Sequence, residues 1–347
     1  MDKSELYLKT FYEGKISYLE TALILGEEGE VSLLFPIKRI IEVLDFGQEI
    51  KYEEGKDYIL TDKGTLKRTK GSRMTYLPYD EYYLDKPNSE VVVKVKPNIM
   101  EDKYFYFSEG SFFSKHQVCI TYEHDEIDYG FNPIYQGKKL QRFFNKLKNK
   151  ENPTLLFYGD SITVGCNTSG TEYCDYIAPH MDPFPLLVTK ELERRYDSKI
   201  NYINTAVGGT TSEWGLNNLQ ERVIEHHPDL VFIAFGMNDG SLDPKIHKER
   251  ILKMMELLEK DNPNIEIILM SNTVPNPEST WTIGQERFVN EYKDINKDNV
   301  AIVDMTSVHQ KLLEHKKFKD MTGNNVNHPN DYLARVHAQI ILKTIDN

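Results

Sequence analysis

The segment TLLFYGDSITVGC (154–166) runs an apolar stretch straight into a serine. Two later polar clusters also follow apolar stretches, GGTTS (208–212) and GMNDG (236–240), and a third, NHPND (327–331), comes just before the last helical stretch. Each has an ordinary structural use. Asp160 or Ser161, Thr210 to Ser212, and Asn330 or Asp331 can cap helices. Asn238-Asp239-Gly240 is common turn composition. Together, however, they offer a hydroxyl from Ser161, an imidazole from His328, a flexible backbone N–H from Gly209 and a side-chain amide from Asn238. Those are the parts of an acyl-transfer site: nucleophile, general base and oxyanion donors.

These clusters need a scaffold that brings them to one edge. From about residue 153, apolar strands alternate with helical stretches: strands at 154–160, 200–207, 229–236, 265–271 and 300–305, and helices at 184–196, 212–227, 245–260 and 331–345. That alternation predicts a parallel sheet covered by helices on both faces. In such a sheet, ligands bind beyond the carboxyl ends of the strands, where these clusters fall. The G-x-S-x-G elbow of another hydrolase fold is excluded, because Thr163 stands where its second glycine is required. Residues before about 135 read differently. Short extended runs at 31–36, 39–46, 56–62, 90–97, 103–108 and 116–125 are separated by turn residues, with a hairpin signal around Asp62-Lys63-Gly64. They predict a β-sandwich or jelly roll. The expected division is 1–145 for this accessory domain and 146–347 for the α/β domain. The basic stretch KKLQRFFNKLKNK (138–150) between them reads as an amphipathic helix or linker.

The chain has 347 residues, 39% of them hydrophobic and 28% charged, with a formal net charge of -12. That charge argues against nucleic-acid binding through a general basic field. The opening MDKSELYLKTFYEGK has no apolar core of signal-peptide length, and no run is long enough to span a membrane. Cys119, Cys166 and Cys174 are too few, and odd in number, for a disulfide framework. A cytoplasmic protein with no membrane or nucleic-acid partner is expected, with a homo-oligomer left open. His226-His227 suits a helix C-terminus better than a metal site, and neither metal nor cofactor is expected.

At these clusters the chain resembles the SGNH (GDSL-type) hydrolases. YGDSITVG carries Ser161 at the nucleophile position, NTAVGGTT carries Gly209 at an oxyanion position, GMND carries Asn238 as a second donor, and NVNHP carries His328 as base. The resemblance covers about 153–347 and implies a three-layer, flavodoxin-like domain. Two departures stand out: Ala206 replaces a common glycine, and Asn325 replaces the aspartate expected three residues before the histidine. The implied arrangement is a Ser161–His328 dyad oriented by neutral Asn325, with the Asp320 carboxylate as second choice. Asp331 or a backbone carbonyl are further options. A β-rich domain ahead of an SGNH domain is similar in layout to the family 2 carbohydrate esterases. This implies a serine esterase that removes small acyl groups, acetyl foremost, from carbohydrate or oligosaccharide esters. The alternatives are a lysophospholipase or thioesterase and a sugar O-acyltransferase. Asp160, Trp281 and Tyr173 are candidate substrate-binding residues. The loop 166–184 is expected to cover the site.

Overall fold

The computed structural model describes residues 3–346. Met1 and Asp2 of the opening segment lie outside them. The N-terminal half forms antiparallel sheets, as expected. Strands β1 (Ile16–Leu23), β2 (Glu30–Val31), β3 (Arg39–Asp45), β4 (Tyr58–Leu60), β5 (Leu66–Arg68), β6 (Tyr83–Leu84), β7 (Tyr104–Phe105) and β8 (Gln117–Glu123) build three small sheets, ordered β1-β8-β3, β2-β5-β4 and β6-β7. The predicted hairpin is β4–β5, with Tyr58 opposite Arg68. The predicted strand at 90–97 makes only isolated bridges. Its backbone is divided between residues 103–105, with Val95 N donating to Lys103 O (3.0 Å) and Val93 O accepting from Phe105 N (2.8 Å), and a distant loop, with Lys96 N donating to Glu278 O (2.8 Å) and Lys94 O accepting from Thr280 N (2.9 Å).

The second half is a parallel sheet of β9 (Thr154–Gly159), β10 (Asn201–Asn204), β11 (Leu230–Ala234), β12 (Glu266–Met270) and β13 (Val300–Val303), in the order β10-β9-β11-β12-β13. Side-chain alternation sends each strand's residues to two separate cores. Leu156, Tyr158, Val231, Ile233, Ile267 and Leu269 meet the helix Pro244–Asp261 on one face. Leu155, Phe157, Leu230, Phe232 and Ile268 meet the helices Phe184–Tyr196 and Asp331–Ile345 on the other. Burial on both faces explains why these strands read as unbroken apolar runs. The helix expected over 212–227 is interrupted at Asn218, where the backbone leaves helical geometry (φ -106°, ψ 8°) although Asn218 N still donates to Trp214 O (3.0 Å). The helix Gln141–Lys148 runs across the expected boundary at 145/146, and the Glu266 carboxylate caps it by accepting from Arg142 N (2.9 Å) and Phe143 N (2.8 Å).

The two halves share one apolar core, which joins Val43, Val118 and Ile120 to Leu333, Val336 and Ile340. The C-terminal helix Asp331–Ile345 is buried almost all round, although it carries Asp331, Arg335, Gln339 and Lys343 at four-residue intervals. A helix buried in this way must pair its polar groups. Arg335 donates to Leu19 O (2.6 Å), Gln339 donates to Tyr7 O (2.7 Å) and accepts from Phe11 N (3.0 Å), and Lys343 reaches Glu13 (2.9 Å). A buried ion pair, Lys316 to Glu20 (2.8 Å), adds to the seam. All three cysteines are buried and unpaired. No helix among the described residues is long and apolar enough to cross a membrane.

Candidate active site

Strand β9 ends at Gly159, opposite Ala234 at the end of β11. A side chain on Gly159 would collide with Ala234 O and Thr163 Oγ1, each 2.4 Å from the site of a Cβ, so only glycine allows this approach. Asp160 then caps a single helical turn, Ser161–Val164, by accepting from Ile162 N (3.0 Å). The turn sets the Ser161 hydroxyl at the carboxyl edge of the sheet. This edge lies between β9 and β11, where the strand order reverses and open α/β sheets form their binding crevices.

His328 meets Ser161 there, with Nε2 2.9 Å from Oγ. Two oxygens face its other nitrogen: Asn167 Oδ1 at 2.7 Å and Glu109 Oε2 at 3.1 Å from Nδ1. The orientation of the Asn167 amide is fixed independently, since its Nδ2 donates to two carbonyls, Gly110 O (2.8 Å) and Gly323 O (3.3 Å). With only acceptors facing it, Nδ1 carries the proton, and Nε2 is left to accept from the serine hydroxyl. The loop that presents His328 is shaped by Asn324, whose Oδ1 accepts from the backbone N–H groups of Val326, Asn327 and His328, each at 3.0 Å. Asn324 Nδ2 also holds Glu109 Oε1 (3.1 Å). Partial desolvation pushes the Glu109 carboxyl up, but the hydrogen bond and charge attraction of His328 and the hydrogen bond from Asn324 outweigh it and hold the group below the usual range.

Gly209 has φ +74°, a left-handed conformation suited to glycine, with open space where a side chain would stand. It lines the same cavity as Ser161, Gly208, Asn238 and His328. Asn238 Nδ2 donates one hydrogen to Thr210 O (2.9 Å), which orients the amide and leaves its second N–H for another acceptor. The neighbouring Asp239 ties the clusters together by accepting from Ser212 N (2.9 Å) and Ser212 Oγ (3.0 Å).

The cavity over Ser161 measures about 640 Å³. Its walls come from both halves of the chain: Val91, Phe107, Glu109 and Gly110 from the first, and Tyr173, Trp281 and His328 among those from the second. Of the candidate substrate residues, Trp281 and Tyr173 line it. Asp160 does not: it is 2% exposed, its carboxylate is turned back to cap the serine's own helix, and burial pushes its pKa up to about 7.

The two orienters expected from local spacing are elsewhere. Asn325 sits at φ +67° with its side chain turned away from His328; Oδ1 accepts from Tyr82 Oη (2.9 Å) and Nδ2 donates to Tyr106 O (3.2 Å). Asp320 accepts from Leu23 N (2.7 Å) and Lys319 Nζ (2.7 Å), so both residues bind the N-terminal half instead of the imidazole. Asp331 is likewise committed, to Ser169 N (2.9 Å) and Oγ (2.6 Å). The residues that do face Nδ1, Glu109 and Asn167, escaped the sequence reading. Asn167 offers a weak signal, an amide six residues after the serine in GCNTSG (165–170). Glu109 in SEGSFF (108–113) offers none.

The model of the GDSL-like lipase/acylhydrolase family matches residues 157–336, just over half of the chain. The chain belongs to this family. An arylesterase of Vibrio mimicus is 30% identical over 123 residues, 35% of this chain and 55% of that protein. Thioesterase 1/protease 1/lysophospholipase L1 of Escherichia coli (strain K12) is 27% identical over 124 residues, 35% of this chain and 52% of that protein. The chain thus spans about half the length of the curated relatives it matches. A crystal structure of a two-domain esterase active on acetylated mannans resembles this family member with a TM-score of 0.50 at 22% identity, over 61% of this chain and 54% of that one. That likeness is one of fold.

Proposed function

We propose that this family member is a serine esterase that hydrolyses small acyl esters, acetyl foremost, of uncharged carbohydrates. The observation that carries the reading is the 2.9 Å contact between Ser161 Oγ and His328 Nε2, with Nδ1 held by acceptors so that Nε2 is free to take a proton. His328 removes the hydroxyl proton as Oγ bonds to the ester carbonyl carbon, and the carbonyl electrons move to oxygen. The Gly209 N–H and the free N–H of Asn238 are the donors for that oxyanion, joined by the Ser161 N–H; one such donor lowers the barrier by about 3 kcal/mol. The intermediate collapses by breaking the bond to the alcohol oxygen, which takes the proton from Nε2. Water then gives a proton to His328 and attacks the acyl carbon. The acid leaves and Ser161 recovers its proton.

The lining supports an uncharged alcohol. Glu109, Glu172 and Asp175 face the cavity, and its described lining contains no lysine or arginine. A phosphate-bearing lysolipid or coenzyme thioester would meet like charge there. Trp281, Tyr173 and Phe107 supply the flat apolar surface on which a sugar ring stacks. The family resemblance to an arylesterase and the fold shared with an esterase of acetylated mannans are compatible with this class. Hydrolysis of p-nitrophenyl acetate by wild type and Ser161→Ala tests the chemistry, and equal rates overturn it. A series of p-nitrophenyl esters tests the acyl group: rates should fall with chain length, whereas rates that rise favour the lipid reading. Transfer to an added sugar outpacing hydrolysis would favour the acyltransferase.

A further inference from the structure

The aspartate that the family places three residues before its histidine is Asn325 here, and its side chain is committed elsewhere. We propose that its work is divided between two side chains from opposite halves of the molecule: Asn167 fixes the imidazole's tautomer and orientation, and Glu109 is a positioning residue that supplies the counter-charge. The inference rests on the esterase reading for its kinetic consequence but not for its physical core.

The geometry separates the two tasks. Asn167 is fully buried, makes the shorter contact (2.7 Å), and is locked by its own donors to Gly110 and Gly323. It is neutral, so it orients the ring but stabilises the imidazolium that forms when His328 takes the serine proton less than a carboxylate would. Glu109 makes the longer contact (3.1 Å) from a side chain that is 52% exposed. A carboxylate at that distance favours the cation, but facing water it does so weakly. It is held in place by Asn324, the residue that also shapes the His328 loop. Gly110 and Ser111, which follow it, are gripped by Asn167 and by Asp175 of the loop 166–184, so with Asn324 two loops of the α/β half hold this one segment of the N-terminal half. The β-rich half is therefore part of the machinery.

Other charged or titratable groups around the ring are accounted for. Asp160 is buried at the cap of the Ser161 turn, where burial favours its protonated form. Cys166 lines the cavity as a neutral thiol, pushed up by burial to about 12. Glu172 and Asp175 lie on the cavity wall, Asp175 bound by Ser111, and Asp331 is bound by Ser169. None of these is within hydrogen-bonding distance of Nδ1 among the described contacts, so removing Glu109 removes the near charge alone.

The test is the titration midpoint of His328, followed by NMR of its ring in wild type and Glu109→Gln. The glutamine keeps shape and an acceptor oxygen but loses the charge. The midpoint should fall by about 0.5–1 pH unit, the range for a nearby but solvent-screened carboxylate. The acid limb of the kcat profile should move down with it, and kcat at the plateau should drop about 3–10-fold. An unchanged midpoint overturns the proposal and leaves Glu109 as a structural prop. The NMR titration needs no turnover, so a chain without esterase activity would overturn the functional reading while this result still decided the role of Glu109.

Discussion

Two cavities of similar size lie among the described residues, and they differ in how their polar groups are held. The cavity over Ser161 encloses about 640 Å³, and a second, between residues 130–139 and the edge strand β13, encloses about 720 Å³. The second also has hydroxyls, but they are spent locally: Ser307 Oγ donates to Asp304 Oδ2 (2.7 Å) and Thr344 Oγ1 to Ile340 O (2.8 Å). Its described lining has apolar residues such as Ile134, Ile302 and Ile340, several lysines and no histidine. Its Gln136 side chain pairs with both the N–H (3.1 Å) and the C=O (2.7 Å) of Ile302, closing the free edge of β13 as a further strand would. In the first cavity the reacting groups are oriented in series: Ser161 by His328, His328 by Asn167, and Asn167 by two carbonyls. What makes a site is that chain of orientation, not volume.

Ser161→Ala should cut kcat/KM for p-nitrophenyl acetate roughly 10⁴-fold or more, since the nucleophile and its base act as a unit. Asn167→Ala should cost roughly 10²–10⁴-fold, because the imidazole loses the partner that fixes its tautomer. A loss below tenfold would mean that Glu109 orients the ring unaided. Asp160→Asn probes stability beneath the same cavity. Burial raises the Asp160 carboxyl from 3.8 to about 7, so its folded form prefers the proton. That preference supports the fold fully below about pH 4 and is lost as pH rises through 7. Asparagine still caps the helix but stays neutral. Melting curves from pH 4.5 to 8 should therefore show the variant gaining on wild type as pH rises; a constant difference contradicts this. Ile134→Ser in the second cavity should leave kcat/KM within about twofold, as expected of an exposed position away from the chemistry, and a larger loss would show the two cavities to be coupled.

The five parallel strands were legible because burial on both faces forces continuous apolar runs, and three of the candidate site clusters because each follows a strand end within a few residues; the fourth, around His328, lies well beyond the end of β13 and was legible from its motif instead. The orientation of His328 was not, because its partners lie 161 and 219 residues away in sequence. No local spacing encodes such a contact, and the local candidate, Asn325, is turned off by its left-handed backbone. The C-terminal helix teaches the same lesson. Its polar stripe of Asp331, Arg335, Gln339 and Lys343 has the spacing of a solvent-facing surface, yet Arg335 and Gln339 grip backbone of the N-terminal half. The helix from 212 is interrupted at Asn218, where the backbone turns to φ -106° and ψ 8° within a continuing helical period.

The central claim is that Ser161, activated by His328, forms a covalent acyl-enzyme. A fluorophosphonate, which reacts with activated serines as an ester would, tests it most directly. Peptide mass spectrometry after labelling at neutral pH should find one adduct, on Ser161, and Ser161→Ala and His328→Ala should remain unlabelled. Labelling at another residue, or an unmodified Ser161 under conditions in which the protein hydrolyses p-nitrophenyl acetate, would contradict the account.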